Sequence, residues 1–480
     1  MKTKAMKHQV EGARRLDANP EYYALGAEQG TGKTWMLLND AERQFEAGAI
    51  EGLLVIAPKG VHTNWILREI PNHMGTEYLA EFWLSGAGKR HMARLEKFLT
   101  NEPKKALMVM AINVDAVNTK KGLDYVQRFL RRYRCMIVID ESQRIKNPAA
   151  KRTKRILSLA PFAVSRRIAS GTLVANSPND LFAQYEFLRT GLLGTTSHRA
   201  FVAEFSELLP PNHPMVQEIA SRSRGGSSPQ IVKRDRDGNP KFKNLEKLSA
   251  LMSPVTFRVL KKDCLDLPEK IYKVHDFEMT PTQRRLYDGV KEDLRYERAD
   301  GEIDIFTALT LINKLQQITS GFIMVDGEPT ELKEAKPRMD ALKEILEDCE
   351  GQVIIFAKFK EELRHIAGLY PDSVQYHGSV STKDREIAVD SFQAGKVKYF
   401  IGNPAAAGTG LTLTAASTVI YYSCSYNFEE RSQSEDRAHR IGTKQNVVYI
   451  DLVARNSIDE RIANALTMKA RTASQILDNL

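Results

Sequence analysis

Short apolar runs recur along the chain, and stretches of mixed apolar and polar residues of helical length separate them. The clearest runs are LLVIAP from Leu53, LMVMAI from Leu107, MIVID from Met136, VIIFA from Val353 and VIYYS from Val419. Each run fits a buried strand of a parallel sheet, and its alternation with helices indicates βαβ units. The pattern is dense in residues 22–190 and 336–455. It predicts an α/β fold with two doubly wound parallel sheets.

The segment between these two regions differs in composition and in the spacing of its apolar residues. Proline, glycine and serine mark loops in LLPPNHPM and SRSRGGSSPQ, whereas TPTQRRLYDGVKEDL from Thr280 and FTALTLINKLQQI from Phe306 have the apolar spacing of helices. We therefore expect mainly helical insertions between the two sheets. The predicted organisation is a first lobe (1–190), an insertion with return to the first lobe (191–262), a linker with a helical insertion of the second lobe (263–335), and a second lobe (336–480).

Residues 231–244, IVKRDRDGNPKFKN, admit two interpretations. Two short strands around an Asp-Gly-Asn-Pro turn predict a β-hairpin, which we favour. A calcium-binding loop is the alternative, with its first, third, fifth and twelfth positions at Asp235, Asp237, Asn239 and Glu246. Pro240 occupies the sixth position, where such a loop needs glycine, and this mismatch disfavours calcium.

Composition narrows the class of protein. A chain of 480 residues that is 42% hydrophobic and 27% charged is typical of a multi-domain globular protein. The net charge of +9 favours a polyanionic partner, although basic runs such as RRYR at Arg131 and KRTKR at Lys151 are more simply solvated faces than a phosphate track. The four cysteines form no zinc or disulfide pattern, and no segment reads as a signal peptide or membrane span. We expect a cytoplasmic protein that is neither secreted nor membrane-bound.

The stretch AEQGTGKTW, residues 27–35, has the residue types of a phosphate-binding loop. Gly30 and Gly32 allow the backbone to turn its N–H groups toward an anion, while Lys33 offers an ammonium group to the β- and γ-phosphates and Thr34 a hydroxyl to Mg²⁺. Ala27 stands where the general pattern has its first glycine. An apolar run precedes the loop and an amphipathic stretch follows it, so the strand–loop–helix context favours ATP binding over a plain glycine turn.

Two further groups of charged residues complete a predicted ATPase site. Asp140 and Glu141 follow the apolar run in CMIVIDESQRIKN, where Asp140 can hold Mg²⁺ and Glu141 can orient or deprotonate the attacking water. Arg437 and Arg440 in RSQSEDRAHRIG are three residues apart and would share one face of a helix. Guanidinium groups can meet the charge that develops on the γ-phosphate. Taken alone, the acidic pair is moderate evidence, since paired acids at a strand end are common on surfaces, and an arginine pair is far more often part of a solvated helix than of a catalytic site.

These stretches, with their order and spacing, resemble the Swi/Snf-like family of DNA translocases, a branch of the superfamily-two helicase-like ATPases. Further segments carry the resemblance over nearly the whole chain: MKHQVEG, LLVIAPKGVHTNWILREI, SGTLVANSPNDLFAQYEFL from Ser170, FRVLKKDCLDLPEK, YHGSVSTKDREIAVDSF and AAAGTGLTLTAASTVIYYSCSYNFEERSQSEDRAHRIG. The segment from Ser170 resembles the one that couples nucleotide state to the grip on DNA. Where many relatives have Asp-Glu-Ala-His, this chain has Gln143 in place of the histidine.

The resemblance implies two RecA-like lobes that close on ATP and Mg²⁺ and carry duplex DNA across both lobes. By position, the adenine-reading glutamine is Gln9, and Thr31 and Gly410 join the nucleotide-binding residues. The residues implied to contact DNA are Lys59, His377, Gly378, Ser379 and Asn403.

Three functions are compatible with these residues. The first is an ATP-dependent translocase or remodeller on double-stranded DNA, acting as a monomer and directed by its insertions or by a separate targeting protein. The second is a strand-separating DNA or RNA helicase, for which the predicted hairpin at 231–244 is the candidate wedge. The third is a nucleotide-gated DNA-binding scaffold without hydrolysis, which the full set of predicted catalytic residues disfavours.

Overall fold

The structure is a computed structural model that describes residues 1–101, 105–222, 229–236, 238–299, 305–332, 334–407 and 411–478. The chain forms two compact units. The first comprises Met1–Asp266 and Lys469–Leu480, and the second comprises Leu267–Met468. The chain therefore leaves the first unit after Asp266 and re-enters it at Lys469.

Parallel strands build the sheet of the first unit. They are β1 (Tyr22–Ala27), β2 (Gly52–Ala57), β3 (Tyr78–Phe82), β4 (Leu107–Asn113), β5 (Cys135–Asp140), β6 (Ala163–Ala169) and β7 (Thr256–Val259). Within the described residues they lie in the order β3-β4-β2-β5-β6-β1-β7, and every pairing is parallel. All residues of β2, β4 and β5 are buried, as expected for strands covered by helices on both faces.

The helices of the first unit connect these strands or lie in the insertion that follows β6. They are α1 (Lys7–Asp17), α2 (Lys33–Glu46), α3 (Val61–Asn64), α4 (Ile70–His73), α5 (Lys89–Thr100), α6 (Lys120–Arg132), α7 (Lys151–Leu157), α8 (Leu181–Leu188), α9 (His198–Phe205), α10 (Pro214–Arg222), α11 (Leu245–Met252) and α12 (Lys261–Cys264). A π-helical turn at Trp65–Glu69 joins α3 to α4 without a break. The last residue of that turn is followed by Ile70, whose backbone N–H donates to the carbonyl of Trp65.

The second unit contains another parallel sheet and a separate hairpin. Its strands are β8 (Lys270–Phe277), β9 (Phe322–Val325), β10 (Glu328–Glu331), β11 (Gln352–Phe356), β12 (Ser373–Tyr376), β13 (Tyr399–Gly402), β14 (Ala416–Tyr421) and β15 (Val447–Ala454). In the described part of the unit the sheet order is β12-β13-β11-β14-β15-β8, with β9 and β10 as an antiparallel pair. Alternate residues of β11 enter different core clusters, Val353 and Ile355 one and Ile354 and Phe356 the other, so both faces of the sheet are covered.

Helices make up the rest of the regular structure of the second unit. They are α13 (Pro281–Ala299), α14 (Ile305–Thr319), α15 (Pro337–Glu347), α16 (Lys360–Leu369), α17 (Thr382–Gln393), α18 (Pro404–Ala407), α19 (Phe428–Ala438) and α20 (Ile458–Leu477). The last of these, α20, contributes Ile458 and Ile462 to the core of the second unit, and its final turns contribute Ala473 and Ile476 to the core of the first.

The predicted α/β fold with two doubly wound parallel sheets is confirmed. All five apolar runs form strands, namely β2, β4, β5, β11 and β14, because each is apolar on both faces. The predicted helices from Thr280 and Phe306 correspond to α13 and α14.

The predicted hairpin at 231–244 forms only in part. Isolated antiparallel bridges pair Arg234 with Pro240, and Val232 and Phe242 pair with residues 206–208 instead of with each other. Pro240 has no N–H to donate, so a continuous ladder cannot form at this position. Asp237, a ligand position of the calcium hypothesis, lies outside the described residues. Among the residues that are described, no group of three or more His, Cys, Asp or Glu side chains could hold a metal ion.

Candidate active site

The predicted phosphate loop lies between β1 and α2, as its sequence context indicated. Gly30 and Gly32 have positive φ angles of 86° and 82°, the conformation in which successive N–H groups can turn toward one anion. A side chain at Gly32 would be strained by this positive φ, and its Cβ would lie 2.0 Å from the side-chain nitrogen of Gln9, which would have to move. Helix α2 begins at Lys33, so the positive end of its dipole adjoins the loop. This geometry fits a nucleotide phosphate.

Lys33 and Thr34 are the first two residues of α2. The ammonium group of Lys33 is buried and donates to the carbonyl of Ala27, 2.7 Å away across the loop. It therefore lies over the loop, where a β- or γ-phosphate would compete with that carbonyl for its protons. Thr34 is half-buried on the same turn.

The N-terminal helix α1 covers the loop from one side. Gln9 is 5% exposed, and its side-chain oxygen accepts from the Met6 amide at 2.8 Å, which directs the other end of its amide toward Gly32. His8 contacts the carbonyl of Thr31 through Nε2 at 2.7 Å. The sequence drew attention to Gln9 and Thr31 but not to His8, because a histidine in an N-terminal helix has no distinctive spacing.

The acidic pair stands at the carboxyl end of β5. One Asp140 oxygen accepts from the Glu141 amide at 3.0 Å, and the other accepts from the indole N–H of Trp65 at 2.9 Å. Burial and then the charge of Glu141 raise the pKa of Asp140, while Trp65 and the nearby charge of Lys33 oppose this rise. A cation beside Asp140 would favour its ionised form, so the carboxylate fits the magnesium ligand that the sequence predicted.

Gln143 connects the acidic pair to the segment from Ser170. Its amide nitrogen donates to Glu141 at 2.7 Å, and its amide oxygen accepts from the Ser170 hydroxyl at 2.6 Å. Both Gln143 and Ser170 are buried. The Ser170 oxygen in turn accepts from the Thr172 amide at 2.8 Å. The residue that replaces the usual histidine thus still joins the predicted catalytic carboxylate to the predicted coupling segment.

The phosphate loop is also attached to the strand that leaves the first unit. Glu28 donates its backbone N–H to the carbonyl of Val259 at 3.0 Å and accepts from the Lys261 amide at 2.7 Å through its carboxylate. The same residue closes the loop, because its carbonyl accepts from the Thr31 hydroxyl at 2.8 Å. Sequence reasoning missed Glu28, because its partners Val259 and Lys261 are more than 200 residues away along the chain.

The predicted arginine pair belongs to the second unit, at the end of α19. The helix ends at Ala438, so the expectation that Arg437 and Arg440 share one helical face is wrong. They come together by another route: both guanidinium groups donate to the carbonyl of Leu411, at 3.4 Å and 2.9 Å respectively. Gly410, the remaining predicted nucleotide-binding residue, lies outside the described residues.

Buried charges hold α19 against the sheet. Glu435 accepts from Arg431 at 2.7 Å and from the Tyr272 hydroxyl at 2.7 Å, and Lys270 lies 3.3 Å from both Glu435 and Asp436. Burial opposes the charged form of Lys270, but Asp436 and Glu435 together raise its pKa above its ordinary value. Lys270 and Tyr272 are on β8, so this strand helps to fix the helix that presents Arg437.

The residues predicted to contact DNA lie near strand ends and helix starts. Lys59 is exposed two residues before α3. His377, Gly378 and Ser379 form the loop between β12 and α17, where Gly378 and Ser379 are exposed. Asn403 follows β13, and its amide nitrogen donates to the carbonyls of two residues after β11, Ala357 and Lys358.

The His377–Ser379 loop has an additional support that the sequence did not indicate. Arg385 on α17 donates from Nε to the carbonyl of Val380 at 2.8 Å and lies 3.5 Å from the carbonyl of Gly378. Burial, Lys360 and Arg385 lower the pKa of His377. Two cationic side chains, Lys360 and Arg385, therefore lie near the loop, and their charge would favour contact with a phosphate.

Comparison with known protein families gives two matches. The SNF2-related domain matches residues 9–321, and the helicase conserved C-terminal domain matches residues 337–442. No helix among the described residues has the length and apolar content needed to cross a membrane.

Similar curated proteins are much longer than this chain. The TATA-binding protein-associated factor BTAF1 of Arabidopsis thaliana is 25% identical over 552 residues, covering 100% of this chain and 25% of that protein. The ATP-dependent helicase MG018 of Mycoplasma genitalium is 24% identical over 491 residues, covering 98% of this chain and 42% of that protein. A solved structure, the Sulfolobus solfataricus SWI2/SNF2 ATPase core in complex with dsDNA, is 21% identical with a TM-score of 0.41 and covers 100% of this chain and 98% of that one.

Proposed function

The chain belongs to the SNF2-related family, and from this premise we propose that it is an ATP-dependent translocase or remodeller of double-stranded DNA. The match covers residues 9–321, so it includes the phosphate loop, the acidic pair and the segment from Ser170. The observation that most supports the proposal is the bridge through Gln143, because it links a carboxylate suited to hydrolysis with a segment suited to transmitting nucleotide state.

The role proposed for each residue follows from the chemistry of its side chain. Lys33 neutralises the β- and γ-phosphates, Thr34 and Asp140 hold Mg²⁺, and Glu141 orients or deprotonates the attacking water. The metal supplies charge stabilisation at the transferring phosphoryl group when it is bound. Arg437 and Arg440 are proposed to stabilise the developing charge, since a guanidinium group is permanently charged and donates in a plane.

The proposed partner is duplex DNA held mainly through its phosphates. The net charge of +9 supports such a partner, and Lys59 together with the loop His377–Ser379 supplies candidate contacts. We propose a motor that works as a monomer, and a separate targeting protein that selects where it acts.

The test combines hydrolysis with movement. Steady-state ATP hydrolysis is measured at fixed salt without nucleic acid and with duplex DNA, single-stranded DNA or RNA, with Lys33→Ala as the inactive control. Displacement of a third strand from a DNA triplex reports movement along duplex DNA, and displacement of one strand from a duplex reports strand separation.

Each outcome selects one function. Duplex-stimulated hydrolysis with triplex displacement, both lost in Lys33→Ala, supports a translocase. Strand separation with preference for single strands or RNA would instead identify a helicase. ATP binding without hydrolysis on any nucleic acid would contradict both and leave a nucleotide-gated scaffold.

A further inference from the structure

Trp65 is a core tryptophan that donates its indole N–H to a carboxylate. It is 1% exposed, and a buried indole N–H needs an acceptor. Its acceptor is the carboxylate of Asp140, 75 residues away in the sequence. The matched case in the same unit is Trp35, whose indole N–H donates to the neutral Thr3 hydroxyl at 3.0 Å. Trp65 is therefore placed to orient a charged group that the proposed chemistry uses.

The contact sets the rotation of the Asp140 carboxylate. The indole N–H of Trp65 donates to one carboxylate oxygen at 2.9 Å, and the Glu141 amide donates to the other at 3.0 Å. Each carboxylate oxygen can accept more than one hydrogen bond or ligand, so both retain a position for a metal ion or its water. Removing the indole N–H would leave the carboxylate held by a single bond at one oxygen, free to turn about its χ2 bond.

Trp65 is also joined to a surface that faces solvent. It is the first residue of the π-helical turn that follows α3, and π-helical turns occur frequently at functional sites. Lys59 and Gly60 are exposed immediately before α3. His62 joins the start of the helix to neighbouring backbone, since its ring nitrogens lie 3.3 Å from the carbonyl oxygen of Pro58 and 3.0 Å from that of Trp83.

We propose that Trp65 is a positioning residue that connects DNA contact at the start of α3 with the orientation of the Asp140 carboxylate. The inference rests on the proposed function, since it assumes a duplex at Lys59 and Mg²⁺ at Asp140. A phosphate bound beside Lys59 displaces the start of α3, the helix carries this displacement to Trp65, and the indole N–H turns the carboxylate. DNA thereby adjusts the affinity of the site for metal and nucleotide before hydrolysis begins.

The first experiment measures binding instead of turnover. ADP affinity is titrated with and without Mg²⁺ in the wild-type chain, in Trp65→Phe and in Trp83→Phe, whose tryptophan is also buried but lies outside the phosphate loop and the acidic pair. Loss of a group that orients a metal ligand typically weakens metal binding about 10- to 100-fold. Trp65→Phe should therefore lose most of the tightening by Mg²⁺ and keep its metal-free ADP affinity, while Trp83→Phe retains both. Equal Mg²⁺ tightening in the two variants would overturn the proposal.

The second experiment needs no substitution at Trp65. The chain has three tryptophans, so 5-fluorotryptophan labelling gives a small set of ¹⁹F resonances, which Trp→Phe variants at positions 35 and 83 assign by elimination. Duplex DNA added without nucleotide should shift the Trp65 resonance and leave that of Trp35 in place. If the chemical shift of the Trp65 resonance does not change at saturating DNA, the proposal is contradicted, even if Trp65→Phe fails to fold.

A third readout separates this inference from the proposed function. In the wild-type chain, duplex-stimulated hydrolysis tests the function itself. If that stimulation is present and Trp65→Phe keeps the same ratio of stimulated to basal kcat, the function stands and the role of Trp65 is refuted. If the wild type hydrolyses no ATP on any nucleic acid, the proposed function fails instead.

Discussion

Gln143 makes at least two hydrogen bonds, one to Glu141 and one from Ser170, and different substitutions remove different ones of them. In Gln143→Ala both the 2.7 Å bond to Glu141 and the 2.6 Å bond from Ser170 disappear. In Gln143→Glu the side chain keeps its shape and can still accept from Ser170, but it cannot donate to Glu141 and places a second negative charge beside it. Gln143→His restores a donor and an acceptor.

The expected magnitude follows from the kind of bond. A hydrogen bond to a charged group contributes about 1.5–3 kcal/mol. If Glu141 uses this bond to hold its orientation in the transition state, kcat falls about 10- to 100-fold in Gln143→Ala. We expect a loss at least as large in Gln143→Glu and a smaller one in Gln143→His. Stimulation by duplex DNA should fall with kcat, because the route to Ser170 is broken in Gln143→Ala.

The assay is duplex-stimulated ATP hydrolysis, accompanied by thermal unfolding of each variant. Ser142→Ala is the matched control, because Ser142 is in the same turn as Gln143 but does not contact the acidic pair through its side chain. Its hydroxyl donates a buried hydrogen bond of 2.6 Å to Gln184. It should lose stability but keep kcat. Wild-type kcat in a folded Gln143→Glu protein, or equal kcat losses in Ser142→Ala and Gln143→Ala, would refute the reasoning.

Three other predictions concern the first unit. Arg167 and Asp40 form an ion pair at 2.7 Å with exposures of 0% and 1%, so Arg167→Met should lower the free energy of unfolding by about 3–5 kcal/mol in chemical denaturation; a loss below 1 kcal/mol would contradict this. Glu28→Ala should accelerate amide hydrogen exchange at the buried Lys261, whereas Glu28→Gln, which keeps an acceptor, should leave the rate unchanged. Burial lowers the pKa of His62 below its ordinary 6.5, so the native state binds fewer protons than the unfolded state; stability should be lost as pH falls below 6.5, and His62→Gln should flatten this dependence.

The strands were predictable because their signal is local. Each apolar run is buried on both faces, as in β5, so no knowledge of its neighbours is needed to recognise it. The phosphate loop was equally accessible, since Gly30, Gly32 and Lys33 are adjacent and their roles follow from their residue types. The family resemblance drawn from these motifs is confirmed by the match to the SNF2-related domain.

Contacts between distant residues were not predictable. Trp65 lies in an apolar-rich helical stretch, so its residue type alone predicts a place in the core. Nothing near it in the sequence indicates a contact with a carboxylate 75 positions away. The end of α19 was also missed, because neither glycine nor proline precedes Gly442 in the sequence RAHRIG. The roles assigned to Asp140, Arg437 and the DNA-contact residues stay predictions, which the experiments above test.

The path of the chain through α20 has a consequence for biosynthesis. Ile476 is fully buried in the core of the first unit, yet the ribosome makes it only after the whole second unit. At about 5–20 residues per second, the roughly 200 residues between Leu267 and Met468 take about 10–40 s to translate. During that interval the nascent first unit exposes the apolar surface that Ala473 and Ile476 later cover. Chaperone demand and losses to aggregation should therefore be greatest late in translation, and slow codons within the second unit should reduce the yield of folded protein.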